Sequence, residues 1–138
     1  MNIQKFSSEK EWIDAAMKII KGSKTIALSG GSTPKPIYEA LGQTSLKESG
    51  EFYQVDERYV PENDDASNNK LIRDTLNPAN FHFFDTSLPI GDALSTYKSE
   101  LPNEFDLVIL GIGNDGHTAS LFPNLPALNT NERVAHTQ

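Results

Sequence analysis

Asp106-Leu107-Val108-Ile109-Leu110-Gly111-Ile112-Gly113-Asn114-Asp115-Gly116-His117-Thr118-Ala119-Ser120-Leu121-Phe122-Pro123 is the stretch from which the fold of this 138-residue chain is read. Leu107 to Leu110 is an unbroken apolar run with two β-branched residues, the pattern of a parallel strand covered on both faces. The turn that follows carries an acid and a histidine and falls at the carboxyl end of that strand. In open α/β sheets ligands bind just beyond those ends, so Gly111 to His117 reads as an active-site loop. Gly111, Gly113 and Gly116 allow positive φ and a close approach of backbone to ligand. A surface turn with an incidental histidine is the simpler alternative, and the rest of the chain decides between the two.

Outward from this stretch, helices alternate with short apolar strands. Ser8 and Glu11 form a capping box, and Trp12, Ile13, Ala16, Met17 and Ile20 follow at helical spacing as a core-packing stripe until Lys21-Gly22. Thr25 to Leu28 is a strand. Ser29-Gly30-Gly31-Ser32-Thr33-Pro34 follows it and opens a helix with Ile37, Tyr38 and Leu41 on its apolar face, ending at Gly42. Phe52 to Val55 is a second strand that runs into Asp56-Glu57-Arg58. Ser67 caps a helix bearing Leu71, Ile72 and Leu76, with Asn77-Pro78 as its stop. Phe81 to Phe84 reads as another strand, Gly91 to Leu101 as a helix, and Val134 to Thr137 as the start of a further strand. The alternation predicts a single domain over residues 1–138, a Rossmann-like α/β fold with a mainly parallel sheet flanked by helices.

Composition narrows the partners. Twelve basic residues against nineteen acidic ones give a net charge of −7 with no lysine or arginine run, so no nucleic-acid partner is expected. A small anion remains possible, because local amides and one or two placed cations can outweigh the global field. The absence of cysteine excludes disulfides, thiolate metal sites and a cysteine nucleophile. Met1 to Lys10 lacks the apolar core of a signal peptide, and no apolar stretch nears the roughly twenty residues needed to span a bilayer. A cytoplasmic protein with no membrane partner is therefore expected; the oligomeric state is left open.

Parallel strands would bring three polar, glycine-bearing loops to one rim. Gly30, Gly31, Ser32 and Thr33, between a strand and a helix, offer amides and hydroxyls to an incoming anion, as a phosphate requires. The loop is neither a Walker sequence nor a dinucleotide fingerprint. In Asp56-Glu57-Arg58 an arginine can grip a phosphate bidentately and a neighbouring acid can orient it; a solvated charge cluster is the plainer reading. Histidine's ordinary pKa of about 6.5 suits proton transfer near neutrality, which makes His117 the candidate general base. Asp115, two residues away, would bond the imidazole, shape the loop or meet the substrate. No metal site is expected, since His82 and His136 lie in other segments without ligand spacing to His117, and His82 reads as structural.

Taken together, Ser29 to Pro34, Asp56-Glu57-Arg58 with Val60-Pro61 and Ser67-Asn68, and Gly111 to Pro123 resemble the 6-phosphogluconolactonases, relatives of the glucosamine-6-phosphate deaminases, in order and spacing over nearly the whole chain. The resemblance implies the deaminase/lactonase-type fold and hydrolysis of 6-phospho-glucono-1,5-lactone to 6-phosphogluconate in the oxidative pentose phosphate branch. A sugar phosphate is then the small-molecule partner, with no metal or organic cofactor. It further implies that Gly30, Gly31, Ser32 and Thr33 line the phosphate site, with Arg58 and Asp56 at the substrate. His117 would activate water with Asp115 beside it, and amides near Gly111 to Gly113 would receive the oxyanion, with Gly116 shaping the loop. Deaminases end the histidine loop in Phe-Asn-Glu-Pro, whereas here Phe122 precedes Pro123, so the deaminase is the second reading. A third is a non-catalytic sugar-phosphate binder or inactive fragment, because family members continue past the position of Gln138; the resemblance thus implies a fold incomplete at its C-terminus, with activity of the short chain open.

Overall fold

Four short strands build one parallel sheet in the computed structural model, which describes residues 2–137. They are β1 (Thr25–Leu28), β2 (Glu51–Gln54), β3 (Asn80–His82) and β4 (Leu107–Ile109), and they lie in the order β3-β2-β1-β4. The helices α1 (Glu9–Ile20), α2 (Lys35–Leu41), α3 (Leu46–Ser49), α4 (Asn68–Thr75) and α5 (Ile90–Glu100) fall between or before them. In register, Ile26 of β1 stands opposite Phe52 on one side and Leu107 on the other. The Rossmann-like α/β reading holds.

Local chemistry sets most of the boundaries. The Ser8 hydroxyl accepts from the Glu11 amide at 3.3 Å and starts α1; the Ser67 hydroxyl accepts from the Lys70 amide at 3.2 Å and starts α4. Asn77, in the left-handed region at φ 47°, ends the α4 segment before Pro78. Ile26, Leu28 and Phe52 point to one face of the sheet, where they pack with Ile20, Ile37, Tyr38, Leu41, Ile72 and Leu76 from α1, α2 and the α4 segment. Trp12, Ile13, Ala16 and Met17 pack against this core as the helical stripe predicted. On the opposite face Tyr53 stacks on His82 with ring centroids 4.3 Å apart, and Tyr97 of α5 donates its hydroxyl to the Gln54 carbonyl. His82 is held between Glu51 and Glu100 carboxylates at 3.1 and 2.9 Å, the structural role expected of it.

Two expectations are corrected here. β4 is not covered on both faces: Leu107 and Ile109 pack against the core, but Val108 is 45 % exposed and Leu110 is 51 % exposed. Alternate strand residues face opposite ways, and the core cluster packs on only one face of β4, the one that carries Leu107 and Ile109. Val108 instead borders a groove of about 790 Å³ whose other walls include Ala27, Tyr97 and Phe105. Residues 134–137 form no strand. A ladder needs a neighbouring strand, β4 pairs with β1 alone, and Val134 to Thr137 line the groove as irregular chain. Among the described residues no helix is long and apolar enough to cross a membrane.

β4 is pinned to the start of β1 by Asp106, whose Oδ2 accepts from the Lys24 and Thr25 amides at 2.8 and 2.9 Å and from the Thr25 hydroxyl at 3.0 Å. The Thr25 amide first, then the Lys24 amide, hold this carboxyl below its ordinary 3.8. A carboxyl depressed in the folded state stabilises fully above its unfolded value and ceases to do so as pH falls through the lower folded value. Asp106→Ala is therefore expected to lower the thermal midpoint at neutral pH and to remove part of the loss on acidification below 3.8. Thermal unfolding of both proteins across the acid range checks this; parallel acid limbs would refute it.

Candidate active site

The sheet order places a topological switch point between β1 and β4. The chain leaves β1 towards β2 on one side, whereas β4 is added on the other, so the loops after β1 and β4 part and leave a crevice. That crevice is a cleft of about 210 Å³. Gly30, Gly31, Ser32, Thr33, Asp56, Arg58, Gly111, Gly113 and His117 all line it, so three loops distant in sequence share one wall system. Asp115 bonds His117 at the edge of this cleft, and Gly116 shapes the turn with φ 86°.

The loop after β1 presents an unusual run of donors. Among the described residues, no protein acceptor takes the amides of Gly30, Gly31, Ser32 or Thr33. Backbone N–H groups left unpaired in this way are ready to bind an anion. Gly31 needs to be glycine for its φ of 96°. At Gly30 the reason is close approach, since a Cβ there would lie 1.8 Å from Asn68 Oδ1. Asn68 is buried, and its Nδ2 donates to the Asp56 carbonyl at 2.9 Å, which ties the first loop to the second. The hydroxyl of Ser29, which also lines the cleft, is buried and has no partner among the described residues.

In Asp56-Glu57-Arg58 the three side chains part company. Glu57 does not orient the guanidinium. Its carboxylate accepts from the Asn68 and Asn69 amides at 2.8 and 2.7 Å and from Gln54 Nε2 at 2.8 Å. It thus caps the N-terminus of α4, where free amides and the helix dipole favour a negative charge. Arg58 donates through Nη1 to the Ala66 carbonyl at 3.0 Å and, among the described residues, pairs with no carboxylate. Its remaining N–H groups are left for a ligand. Asp56 Oδ2 accepts from the Ser120 hydroxyl at 2.6 Å, a tether from the end of β2 to the histidine loop.

His117 is set by its own turn. The Gly113 amide donates to the His117 carbonyl at 2.8 Å and the Gly116 amide to the Gly113 carbonyl at 3.0 Å. Of the amides from Gly111 to Gly113, that of Gly113 is therefore occupied, while those of Gly111 and Ile112, which line the cleft, have no acceptor among the described residues. Asp115 Oδ1 lies 2.5 Å from His117 Nδ1 and also accepts from the His117 amide at 3.2 Å. The imidazole bond, with the amide bond second, holds the Asp115 carboxyl below its ordinary 3.8. An ionised carboxylate only accepts, so Nδ1 carries the proton and Nε2 of the neutral ring has a free lone pair. One face of the ring is covered by Phe122, with centroids 4.5 Å apart and planes at 30°. Among the described residues no three histidine or acidic side chains converge as a metal-ligand set.

Asn68 and Ser120 enter the sequence reading only inside the matched motifs, and Phe122 only as the departure from the deaminase ending; none is given a part in the site there. The pattern that finds them is three-dimensional: an asparagine filling the space beside a glycine, and a serine and a phenylalanine delivered by a turn whose Ala119 sits at φ 51°.

A family model described as glucosamine-6-phosphate isomerases/6-phosphogluconolactonase matches residues 7–138. A 6-phosphogluconolactonase of Synechocystis is 43 % identical over 133 residues, covering 83 % of this chain and 55 % of the relative. That of Thermotoga maritima is 42 % identical over 107 residues, covering 70 % and 49 %. A crystal structure of 6-phosphogluconolactonase from Thermotoga maritima superposes with a TM-score of 0.79 at 34 % identity, over 88 % of this chain and 63 % of that one. The three-dimensional structure of the 6-phosphogluconolactonase from Trypanosoma brucei gives 0.78 at 29 %, over 96 % and 68 %. The chain thus spans about half to two thirds of the length of the relatives it matches.

Proposed function

The chain belongs to the glucosamine-6-phosphate isomerase/6-phosphogluconolactonase family, and from that premise we propose that it acts on 6-phospho-glucono-1,5-lactone as a hydrolase. One observation carries the reading: a histidine whose Nδ1 is held by a carboxylate lines the same small cleft as four amides and an arginine that, among the described residues, have no acceptor and no acidic partner respectively. In this reading the phosphate lies on the Gly30 to Thr33 amides and Arg58, while Asp56, a carboxylate that repels phosphate, meets sugar hydroxyls. The Nε2 atom of His117 takes a proton from water as the water oxygen bonds to the lactone carbonyl carbon. The tetrahedral intermediate then breaks its bond to the ring oxygen, which receives that proton from the imidazolium. The free amides of Gly111 and Ile112 are the donors to the transient oxyanion. Every atom is accounted for by water, lactone and one imidazole.

The deaminase reading is less well supported. Asp115 is the one carboxylate bonded to His117 among the described residues, and Phe122 covers the imidazole face with an aromatic ring that has no ionisable proton. The relatives named above are lactonases. A cytoplasmic setting, with a sugar phosphate as partner, belongs to the same proposal.

Turnover of freshly generated lactone, with calorimetric titration of 6-phosphogluconate alongside, tests the reading. Hydrolysis above the spontaneous rate supports it; binding without hydrolysis supports a sugar-phosphate binder instead. Arg58→Ala is expected to weaken 6-phosphogluconate binding by about tenfold or more, the loss of a charge-assisted contact. Unchanged affinity would remove Arg58 from the phosphate site.

A further inference from the structure

The chemistry assigned to His117 requires its ring plane to be fixed, and two of its contacts act only on one edge. Asp115 Oδ1 holds Nδ1 at 2.5 Å, and the Gly113 backbone lies against the Nδ1–Cε1 edge. The histidine χ2 torsion is broad, so edge contacts leave the plane free to rock. A contact on the face is what restricts it. Phe122 supplies that contact, its ring stacked 4.5 Å away at 30°.

The way Phe122 is delivered supports a role beyond packing. It is 42 % exposed and lies outside the core cluster, so core stability does not account for its place. The turn before it is anchored at two points: Leu121 donates to the Thr118 carbonyl at 2.9 Å, and Ser120 is tied to Asp56 at 2.6 Å. Ala119 between them holds φ 51°, a conformation costly for a residue with a Cβ, so the turn keeps its shape against local preference. We infer that Phe122 is a positioning residue for His117, its ring holding the imidazole plane so that Nδ1 stays on Asp115 and Nε2 stays available to the cleft. The inference rests on His117 being the base of the proposed reaction.

The test uses the full chain labelled with ¹⁵N and long-range ¹H–¹⁵N spectra of the neutral His117 ring, beside lactone turnover. The wild type is expected to show a dominant Nδ1–H tautomer and carbon-bound ring protons displaced by the aromatic ring current. Phe122→Ala is expected to reduce the tautomer preference and kcat together by about three- to tenfold, with KM within about twofold. Phe122→Tyr should retain wild-type values, and Phe122→Leu, which keeps bulk without an aromatic face, should behave like alanine. Unchanged tautomer ratio in Phe122→Ala, or full rescue by leucine, overturns the role. The spectra do not depend on turnover: a reduced tautomer preference in Phe122→Ala, with no lactone hydrolysis even by the wild type, would keep the positioning role and end the lactonase reading.

Discussion

His117→Asn is expected to lower kcat for lactone hydrolysis by about 10²- to 10⁴-fold, the usual contribution of a positioned general base. Asparagine keeps a polar side chain of similar reach, so the turn and its Asp115 partner are disturbed little, but an amide does not take up and return a proton near neutrality. The loop Gly30 to Thr33, to which the proposal assigns the phosphate, lies in another segment, and among the described residues its amides bond to nothing in the histidine loop. Affinity for 6-phosphogluconate should therefore stay within about threefold of wild type, since the phosphate contacts carry the binding. Steady-state turnover and calorimetric binding on the same preparation check both halves. A variant that hydrolyses the lactone near the wild-type rate would show that the imidazole is a bystander and that water is activated elsewhere.

Gly113→Ala is expected to cost about 100-fold in kcat while leaving the protein folded, the scale of loss that follows from a roughly 1 Å misplacement of a catalytic group. A Cβ on Gly113 would lie 2.2 Å from both Cε1 and Nδ1 of His117, far inside van der Waals contact, and 3.0 Å from Asp115 Oδ1. Gly113 does not hold a positive φ, so alanine suits the backbone and the imidazole has to yield. Moving the ring breaks the 2.5 Å contact with Asp115. Gly91→Ala, in α5 and outside the cleft, is the control: nothing lies within 4 Å of a Cβ there, and activity should remain close to wild type. Thermal midpoints of both variants should sit near the parent. Equal activities for the two alanine variants would mean that His117 does not occupy the place described.

Much of the architecture was readable from residue pattern because it arises from short-range physics. The Ser8 and Ser67 caps are satisfied within three residues, and the apolar run Thr25 to Leu28 coincides with β1. The one-turn helix α3 was not visible, because four residues are too few to reveal a period. The exposed face of β4 was misread for another reason. A run such as Leu107 to Leu110 records apolar side chains on both faces but not what lies over each of them.

The site divides in the same way. Gly30 to Thr33, Arg58 and His117 could be picked out by residue type and by position after a strand, and the parallel order of the sheet follows from helices alternating with strands. Which partner each group takes was decided only by the tertiary structure. Glu57 binds the α4 amides instead of Arg58, Asp56 is tied to Ser120 across 64 residues, and Asn68 fills the space that makes Gly30 necessary. Hydrogen bonds and close contacts between loops depend on differences of a few tenths of an ångström in the spacing of groups that are far apart along the chain. Local propensity sets the elements and their order, while packing selects the neighbours.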